Sequence, residues 1–391
     1  MKTTNTIRMK SLNACCVWTL SAASASFALA GDRPGDHTGR QAVAPNVVSQ
    51  YVQHNLVGFQ PGMGHYLDPN LNGWGMDSAP GGPFCVSNAA TGTATFYSRL
   101  SHPPGKPLPP VITVPPAPSE VFGPVGIPTG LVYNPTAGFV ISANGKSAPA
   151  QFLFDTLDGT VSGWNPDVDP DNAIIVVDNS TQLPFMSNYT GLVMGTNSQG
   201  QTILYACDAG PNNRVDMYDE QFNYLASFTD PNVASQYPDY TASQVENVDG
   251  QLFVTFNVTT GAPIGGVVDI FDTDGNLLTP NHFAANAGGA GPLVNPWGVA
   301  KAPAHFGQFS HAILIGNIDD GKINAFDSSG HFLGAMQDRD GNDIVIPGLW
   351  DLIFTQSDGG GGSVELYFDA GPDLANFAGN GLVGVITQGK R

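Results

Sequence analysis

The stretch "NPWGVA" (Asn295–Ala300) recurs in altered form at two other places, as "NGWGMD" (Asn72–Asp77) and "GLWDLI" (Gly348–Ile353). Three of the five Trp of the protein stand in this one context. A short sequence that returns at long intervals indicates a fold assembled from copies of one structural unit. The three Trp therefore set a register in which the rest of the chain can be compared.

A column drawn through the Trp identifies six copies of the unit. The segments "IPTGLVY", "NYTGLVM" and "ASQVENV" fill the interval between the first and the last two Trp. The column consists of residues 53 to 61 positions apart, namely Trp74, Thr129, Thr190, Gln244, Trp297 and Trp350. A glycine follows the column in four copies, as Gly75, Gly130, Gly191 and Gly298.

Each copy predicts four short strands. Runs such as "QLFVTF", "VVDIFD" and "AILIGN" are rich in β-branched and aromatic residues, and Gly, Asn, Asp and Pro separate them. The second run of every copy ends in an amide or acid, at Asn88, Asn144, Asp208, Asn257, Asn317 and Asp369. Four antiparallel strands per ~50 residues are typical of one blade of a β-propeller. The sequence thus predicts an all-β, six-bladed β-propeller.

The last copy contains only three of these strands and ends with "GLVGVIT" (Gly381–Thr387). The run "YVQHNLV" (Tyr51–Val57) precedes the first copy and has the pattern of a strand. We expect this N-terminal strand to close the last blade, because pairing there covers two otherwise exposed sheet edges. Residues 51–391 are then the propeller domain.

The N-terminus has the pattern of a signal peptide. A basic segment with Lys2 and Lys10 precedes an apolar run that ends in "ALA" (Ala28–Ala30). The run is too short and too polar for a membrane span. The sequence therefore predicts a signal peptide over residues 1–30, a polar, disordered leader over residues 31–50, and a mature chain with no membrane span.

Charge and cysteine content narrow the range of partners. The chain carries 33 acidic and 14 basic residues, a net charge of −19, which repels nucleic acid. Cleavage of the signal peptide leaves two cysteines, Cys85 and Cys207, and the repeat places them two blades apart. We expect free, buried thiols rather than a disulfide.

The segment "LYACDAGPNNRVDMYD" (Leu204–Asp219) resembles the NHL repeat, with Pro211 and an extra Asn as departures. The whole mature chain resembles an uncharacterised family of secreted bacterial six-bladed propeller proteins, through motifs such as "PTGLVYN", "GKINAFD" and "IPGLWDLIF". This resemblance implies the fold and a secreted or periplasmic, bacterial location, but no activity. Lactonases of the gluconolactonase and paraoxonase type are more distant propellers, and only fold-level analogy connects them to this chain.

The Trp column lies near the start of the innermost strand of each blade. Ring closure makes Trp74, Trp297 and Trp350 neighbours along one arc, while Thr129, Thr190 and Gln244 form the opposite arc. A column that mixes Trp with Thr and Gln is unusual for a pure core position. It indicates either wedge packing between blades or a ligand platform at the channel mouth, where aromatic rings stack on a sugar, an organic ring or a cation.

Two acids interrupt the inner strands. Glu246 stands where the other copies have Met, Leu or Val, and Asp351 replaces the glycine. A buried carboxylate must be paired, hydrated or metal-bound, so both are candidates for cation binding or acid/base catalysis, with a hydrated channel carboxylate as the alternative. Asp208 and Asp369 are further candidate metal ligands, for which calcium is the fitting ion. Their alternative role is an Asx turn.

These features predict a secreted binding or interaction module that uses the rim bearing the Trp column. Its partner would be a small molecule or an extracellular or periplasmic protein, and the chain would be a monomer. A calcium-dependent, lactonase-like hydrolase with a site in the central channel is one alternative. A structural protein of the cell envelope is another.

Overall fold

The computed structural model describes residues 50–99, 101–258, 264–286, 291–355, 364–371 and 381–389. Six sheets of mainly antiparallel strands form the blades of a β-propeller, which confirms the predicted fold class. The predicted signal peptide and, apart from Gln50, the predicted polar leader lie outside the described residues.

Strands are numbered along the chain, and β1 (Tyr51–Gly58) and β2 (Tyr66–Leu67) come first. Blade 1 contains β3 (Gly73–Ser78), β4 (Phe84–Asn88), β5 (Thr93–Ser98) and β6 (Lys106–Thr113). Blade 2 contains β7 (Pro128–Tyr133), an inserted hairpin of β8 (Val140–Ala143) and β9 (Lys146–Pro149), and then β10 (Phe152–Thr156), β11 (Thr160–Trp164) and β12 (Ile174–Asp178). Blade 3 contains β13 (Tyr189–Thr196), β14 (Thr202–Asp208), β15 (Arg214–Tyr218) and β16 (Tyr224–Phe228).

The short helix α1 (Pro231–Gln236) connects blades 3 and 4. Blade 4 contains β17 (Tyr240–Val248), β18 (Gln251–Val258), β19 (Gly266–Phe271) and β20 (Ala284–Asn286). Blade 5 contains β21 (Pro296–Lys301), a 3₁₀ turn (Gly307–Phe309), β22 (Ile313–Asn317), β23 (Ile323–Phe326) and β24 (Phe332–Ala335). Blade 6 contains β25 (Leu349–Thr355), β26 (Glu365–Ala370) and β27 (Leu382–Gln388), and β1 and β2 complete it.

The N-terminal strand closes the ring as predicted. β1 runs antiparallel to β27, with Tyr51 opposite Gln388 at one end of the pairing. The buried Tyr51 hydroxyl donates a hydrogen bond to the carbonyl of Phe306 at 2.8 Å, and its ring stacks on Phe309 at 5.9 Å. Blade 6 is thus held by both ends of the chain and packs against blade 5.

The inner strands β3, β7, β13, β17, β21 and β25 surround the axis. We call the end of the ring where they begin the start rim and the opposite end the exit rim. A β-bulge interrupts the pairing of these strands near the start rim, and it places Trp74, Thr190 and Trp350 at bulged positions. A bulge bends the strand and re-aims the side chain, which explains why this column behaves differently from the alternating residues after it.

Glycine follows the bulge because neighbouring inner strands approach each other closely there. A Cβ added to Gly75 would lie 2.8 Å from the carbonyl oxygen of Thr129 in blade 2. A Cβ on Gly130 would lie 2.4 Å from the amide nitrogen of Leu192 in blade 3. The glycine that recurs in four copies is therefore explained by this close approach of neighbouring strands.

The predicted column is wrong by one residue in blade 4. The Cα of Gln244 is the atom that a Cβ on Gly191 would meet at 3.2 Å, so Gln244 occupies the glycine position and Ser243 the bulge. A shift of one residue exchanges the two faces of a strand. Val245 therefore belongs to the apolar core between blades, and Glu246 lines the channel instead of interrupting an apolar column.

The predicted column of amides and acids on the second strands is also irregular. Asn144 lies in the turn of the inserted hairpin, and the second strand of blade 2 is β10, which carries Asp155. Asp369 pairs with Asp351 at the glycine position, whereas Asp208 lies one residue nearer the start rim. These side chains therefore do not form one ring around the axis.

Two simpler expectations concern cysteines and membranes. Cys85 and Cys207 are free and buried, as predicted, and burial raises the pKa of both thiols well above the ordinary value. Within the described ranges, neither helix is long enough or apolar enough to span a bilayer.

Candidate functional site

Three Trp side chains meet at the axis near the start rim. The rings of Trp74 and Trp350 stack with their centroids 4.0 Å apart. Trp297 meets Trp350 edge-on at 4.6 Å and Trp74 at 5.8 Å. Each residue is at most 3% exposed. We call these three residues the Trp plug, because their ring faces cover one another instead of facing solvent.

The other residues of this column tie the inner strands together. The hydroxyl of Thr129 lies 2.8 Å from the carbonyl oxygen of Tyr189, and the hydroxyl of Thr190 donates to the carbonyl of Ser243 at 2.7 Å. The indole N–H of Trp74 donates to the carbonyl of Thr190 at 3.1 Å. The structure therefore supports the packing interpretation. A ligand-binding role stays a prediction for all six residues of the predicted column, and the buried Trp rings do not support it. These residues are Trp74, Trp297, Trp350, Thr129, Thr190 and Gln244.

A cavity of about 470 Å³ lies along the axis on the exit side of the glycine position. The inner strands of blades 1, 2, 3, 4 and 6 line it, and it extends to the exposed turn at Asp249 and Gly250 between β17 and β18. This volume lies in the range of ~300–1,000 Å³ that is usual for small-molecule sites. The described residues that line it include four acids and no Lys, Arg or His.

Asp351 projects from blade 6 into this cavity and also joins blade 6 to blade 1. One carboxylate oxygen accepts a hydrogen bond from the N–H of Met76 at 2.9 Å, and the other accepts from the N–H of Leu352 at 2.7 Å. Burial raises the pKa of Asp351 to about 6, although these two N–H groups lower it. The Asp351 side chain thus accepts a hydrogen bond from the neighbouring inner strand of blade 1 and also faces the channel. A glycine at this position could do neither.

Glu246 and Asp77 occupy equivalent channel-facing positions of blades 4 and 1. Burial raises the pKa of Glu246 well above its ordinary value, and the nearby charges of Asp351 and Asp77 raise it further. The amide of Gln244 donates a hydrogen bond to Glu246 Oε1 at 3.1 Å. The structure thus brings the predicted pair Glu246 and Asp351 into one cavity, together with a third acid, Asp77, that the sequence reading missed.

Asp77 is held much as Asp351 is. One oxygen accepts a hydrogen bond from the N–H of Tyr133 in blade 2 at 2.8 Å, and the other accepts from the N–H of Ser78 at 2.7 Å. Burial raises the pKa of Asp77 to about 6 against the pull of these N–H groups. A carboxylate has about four acceptor sites, so both acids can still accept from a ligand.

The remaining wall of the cavity is apolar. Blades 2 and 3 contribute Leu131, Val132, Leu192, Val193 and Met194. The acids come from blades 1, 4 and 6, so the cavity has a charged side and an apolar side. This division would suit a ligand that carries a cationic group on an apolar body.

Asp208 and Asp369, the other predicted metal ligands, lie outside this cavity. Asp208 accepts from the N–H of Asn188 at 2.9 Å and lies 3.6 Å from the Arg214 guanidinium. Asp369 accepts from the N–H of Asp351 at 2.9 Å, and burial and the charge of Asp351 raise its pKa well above the ordinary value. Among the described residues, these acids form no group of three with ligand atoms within 4.8 Å of one another. Calcium binding by Glu246, Asp351, Asp208 and Asp369 stays a prediction.

The channel acids give the folding free energy a definite pH dependence. Because the pKa of Asp77 rises from 3.8 to about 6 on folding, the folded state binds more protons than the unfolded state between these values. Its stabilising contribution is therefore complete below pH 3.8 and is lost as the pH rises through about 6. We expect the free energy of unfolding of wild type, relative to Asp77→Asn, to fall across this window in urea titrations. A difference that does not change with pH would contradict the shift.

The relatives that comparison of the sequence finds are uncharacterised proteins of a virus. No family model matches the chain. The "Uncharacterized protein L690" of Acanthamoeba polyphaga mimivirus is 31% identical over 272 residues, which cover 67% of each chain. The chain belongs to the family of protein L690. Two further mimivirus proteins are similar: R640 is 31% identical over 57% of this chain, and R648 is 28% identical over 87%.

The expected six-bladed propeller is shown, but the bacterial source and the NHL repeat are not. The matched relatives are viral proteins, not bacterial ones, and no NHL family model matches. The chain spans 41% of R640 and 81% of R648. Membership in the family brings no activity with it, because these relatives are themselves uncharacterised.

Solved structures agree with the fold alone. The α-L-arabinanase of Penicillium chrysogenum, solved with arabinobiose, has a TM-score of 0.52 at 12% identity and covers 85% of this chain and 98% of its own. The virginiamycin B lyase of Staphylococcus aureus has a TM-score of 0.47 at 13% identity, with 86% and 99% covered. At 12% identity the likeness to the arabinanase supports a shared propeller architecture and nothing about the reaction.

Proposed function

We propose that the protein is a binding module for a small organic cation, an amine with an apolar body, which it takes into the channel cavity. The observation that carries this proposal is the convergence of Asp77, Glu246 and Asp351 on one cavity of about 470 Å³. Sequence reasoning favoured binding at the start rim. The buried Trp plug moves the proposed site to the exit side of the channel.

Charge favours a cation over a neutral or anionic ligand. Within the described residues, Lys301 is ion-paired with Asp249 at the cavity mouth, whereas no basic side chain is ion-paired with the three inner acids. Burial raises the pKa of Asp77 and of Asp351 to about 6, so these carboxyl groups ionise progressively as the pH rises past that value. An ammonium group would donate charge-assisted hydrogen bonds to these carboxylates, and such bonds are stronger than neutral ones.

Titration calorimetry with a panel of primary and secondary amines, from methylamine to phenethylamine and spermidine, tests the proposal. We expect at least one amine to bind wild type, and Asp77→Asn to weaken it by about 10- to 100-fold, the effect of one charge-assisted hydrogen bond of roughly 1.5–3 kcal/mol. Asp338→Asn, in an exposed turn, is the matched control and should bind like wild type. If no amine in the panel binds with a Kd below about 1 mM, the proposal is wrong.

Hydrolysis is a second candidate function, and one observation favours it. Three carboxyl groups face one cavity, and burial together with the charges of Asp351 and Asp77 raises the pKa of Glu246 well above its ordinary value, while burial raises the pKa of Asp77 and of Asp351 to about 6. Neighbouring carboxyl groups whose environments separate their pKa values can supply a general acid and a general base. The calcium-dependent, lactonase-like hydrolase expected as an alternative from the sequence is one form of this second candidate function. Lactones and glycosides, assayed with calcium or chelator, should then be cleaved by wild type and not by Glu246→Gln.

Export from the cell is part of the proposal. The basic and apolar segments before Gly31 support a cleaved signal peptide and therefore a secreted or periplasmic binding protein. A structural role in the envelope would not need the channel acids. Sequencing the N-terminus of the exported protein tests the location, since a start at Gly31 is expected and recovery of uncleaved chain inside the cell would oppose it.

A further inference from the structure

Three buried side chains outside the channel meet where blade 3 is connected to blade 4. Asp230 follows β16, Asp269 lies in β19, and His282 lies just before β20. The Nδ1 atom of His282 is 3.0 Å from Asp269 Oδ2 and 3.7 Å from Asp230 Oδ2. One ligand atom from each of the three residues lies within 4.8 Å of the other two. The side chains of both acids are fully buried, and that of His282 is 6% exposed.

The local structure holds each group in place. Asp230 is the N-cap of α1, and its Oδ1 accepts from the N–H of Asn232 at 2.7 Å. Its Oδ2 is buried, turned toward His282, and has no hydrogen-bond partner among the described residues. The hydroxyl of Thr279 lies 3.3 Å from Asp269 Oδ1, and the N–H of His282 donates to the carbonyl of Thr279 at 3.0 Å. Such supporting hydrogen bonds are what orient the ligands of a metal.

We propose that Asp230, Asp269 and His282 bind one divalent transition-metal ion of the zinc class. In a tetrahedral site with bonds of 2.0–2.1 Å, neighbouring ligand atoms are ~3.4 Å apart, close to the 3.0 and 3.7 Å between Nδ1 and the two carboxylate oxygens. Imidazole nitrogen with carboxylate oxygen suits zinc, whereas calcium and magnesium take oxygen ligands alone.

The ion would be structural. Its ligands are buried and lie on the outer half of the propeller, away from the channel cavity, so the site is independent of the proposed amine site. It would fasten the connection after blade 3 to the outer strands of blade 4. Metal binding of this kind adds to folding free energy, because the unfolded chain does not hold the ligands together.

The test starts from metal-depleted, full-length protein at neutral pH and adds zinc chloride. We expect one equivalent of zinc by elemental analysis and calorimetry, and a melting temperature higher by about 5 °C. Asp230→Asn, which keeps the helix cap acceptor, and His282→Gln should each weaken zinc binding by more than about 100-fold, since even the loss of an outer-shell partner costs ~10–100-fold. Cobalt in place of zinc should give the visible absorption of a tetrahedral site in wild type and not in Asp230→Asn or His282→Gln.

His331 provides the matched control. It also faces an acid, with Nδ1 3.1 Å from Asp327 Oδ2, but its side chain is 80% exposed and no third ligand is near it among the described residues. His331→Gln should bind zinc like wild type. The proposal is overturned if folded wild type takes up no more zinc than folded His282→Gln or Asp230→Asn, in which case the three residues are a buried ion-pair network without a metal.

Discussion

A chain that begins after Gly58 is expected to lose the folded ring altogether. The deletion removes β1 and exposes the edge of β27, with which β1 pairs from Tyr51 to Gly58 apart from a bulge between Asn55 and Val57. It also removes Tyr51, Leu56 and Val57, which are buried. Burying one such side chain stabilises a protein by roughly 1.5–3 kcal/mol, so their combined loss approaches the whole stability of a domain, about 5–15 kcal/mol. Circular dichroism during heating should show no cooperative transition.

A second truncation serves as the control for this result. A chain that begins at Gln50 keeps every described residue and should melt within a few degrees of the full chain. A cooperative transition in the shorter chain would mean that five complete blades and a three-stranded sixth close without β1. The closure by the N-terminal strand would then be dispensable.

Replacing Trp350 with Ala is expected to cost about 3–5 kcal/mol of unfolding free energy, the usual range for a buried Trp. Its ring contacts both other members of the Trp plug, and its backbone occupies the bulge from which Asp351 reaches blade 1. The cavity left by the indole cannot collapse readily, because six inner strands hold the surrounding geometry. Urea unfolding monitored by circular dichroism gives the value directly.

Trp350→Phe distinguishes packing from ligand binding. Phe keeps an aromatic ring at the axis, so its loss of stability should be less than half that of Ala. A Trp350→Ala protein as stable as wild type would show that the Trp plug carries no packing energy. The alternative interpretation, in which the Trp residues form a ligand platform at the start rim, would then be favoured.

The repeat made the fold predictable from the sequence. Trp74, Trp297 and Trp350 with the glycine after the column gave the spacing of the blades, and "YVQHNLV" gave the closing strand. These signals are strong because they reflect sterics: in four of the six copies a glycine stands where neighbouring inner strands approach closely after the bulge. A requirement that recurs at regular intervals leaves a pattern that a single sequence reveals.

The site was only partly predictable, for a reason that lies in blade 4. An alignment of Gln244 with Trp74 places Glu246 in the same column as Met76, among core residues. In that alignment nothing connects Glu246 with Asp77, the residue after Met76. The bulge in blade 4 falls at Ser243, one residue earlier. With that register, Asp77 and Glu246 occupy equivalent channel-facing positions, and Asp77 is recognised as the third acid of the cavity beside Glu246 and Asp351. No propensity in "ASQVENV" marks where the bulge lies.

The burial of the three Trp side chains at the axis could not be predicted from the sequence either. The column of Trp and Thr was compatible with a channel mouth or with packing, because the direction of a bulged side chain depends on neighbouring blades. The metal-ligand candidates had the same difficulty: Asp230, Asp269 and His282 are separated by up to 52 residues and belong to no spacing motif. Only the packing of blade 3 against blade 4 brings them together.

The most direct measurement of the central proposal is a crystal structure of the protein soaked with the tightest amine of the panel. The proposal predicts density for the amine inside the channel, with its nitrogen ~2.7–3.2 Å from carboxylate oxygens of Asp77, Asp351 or Glu246 and its apolar body against Leu131 and Leu192. An amine bound elsewhere, with no density in the cavity at saturating concentration, would contradict it.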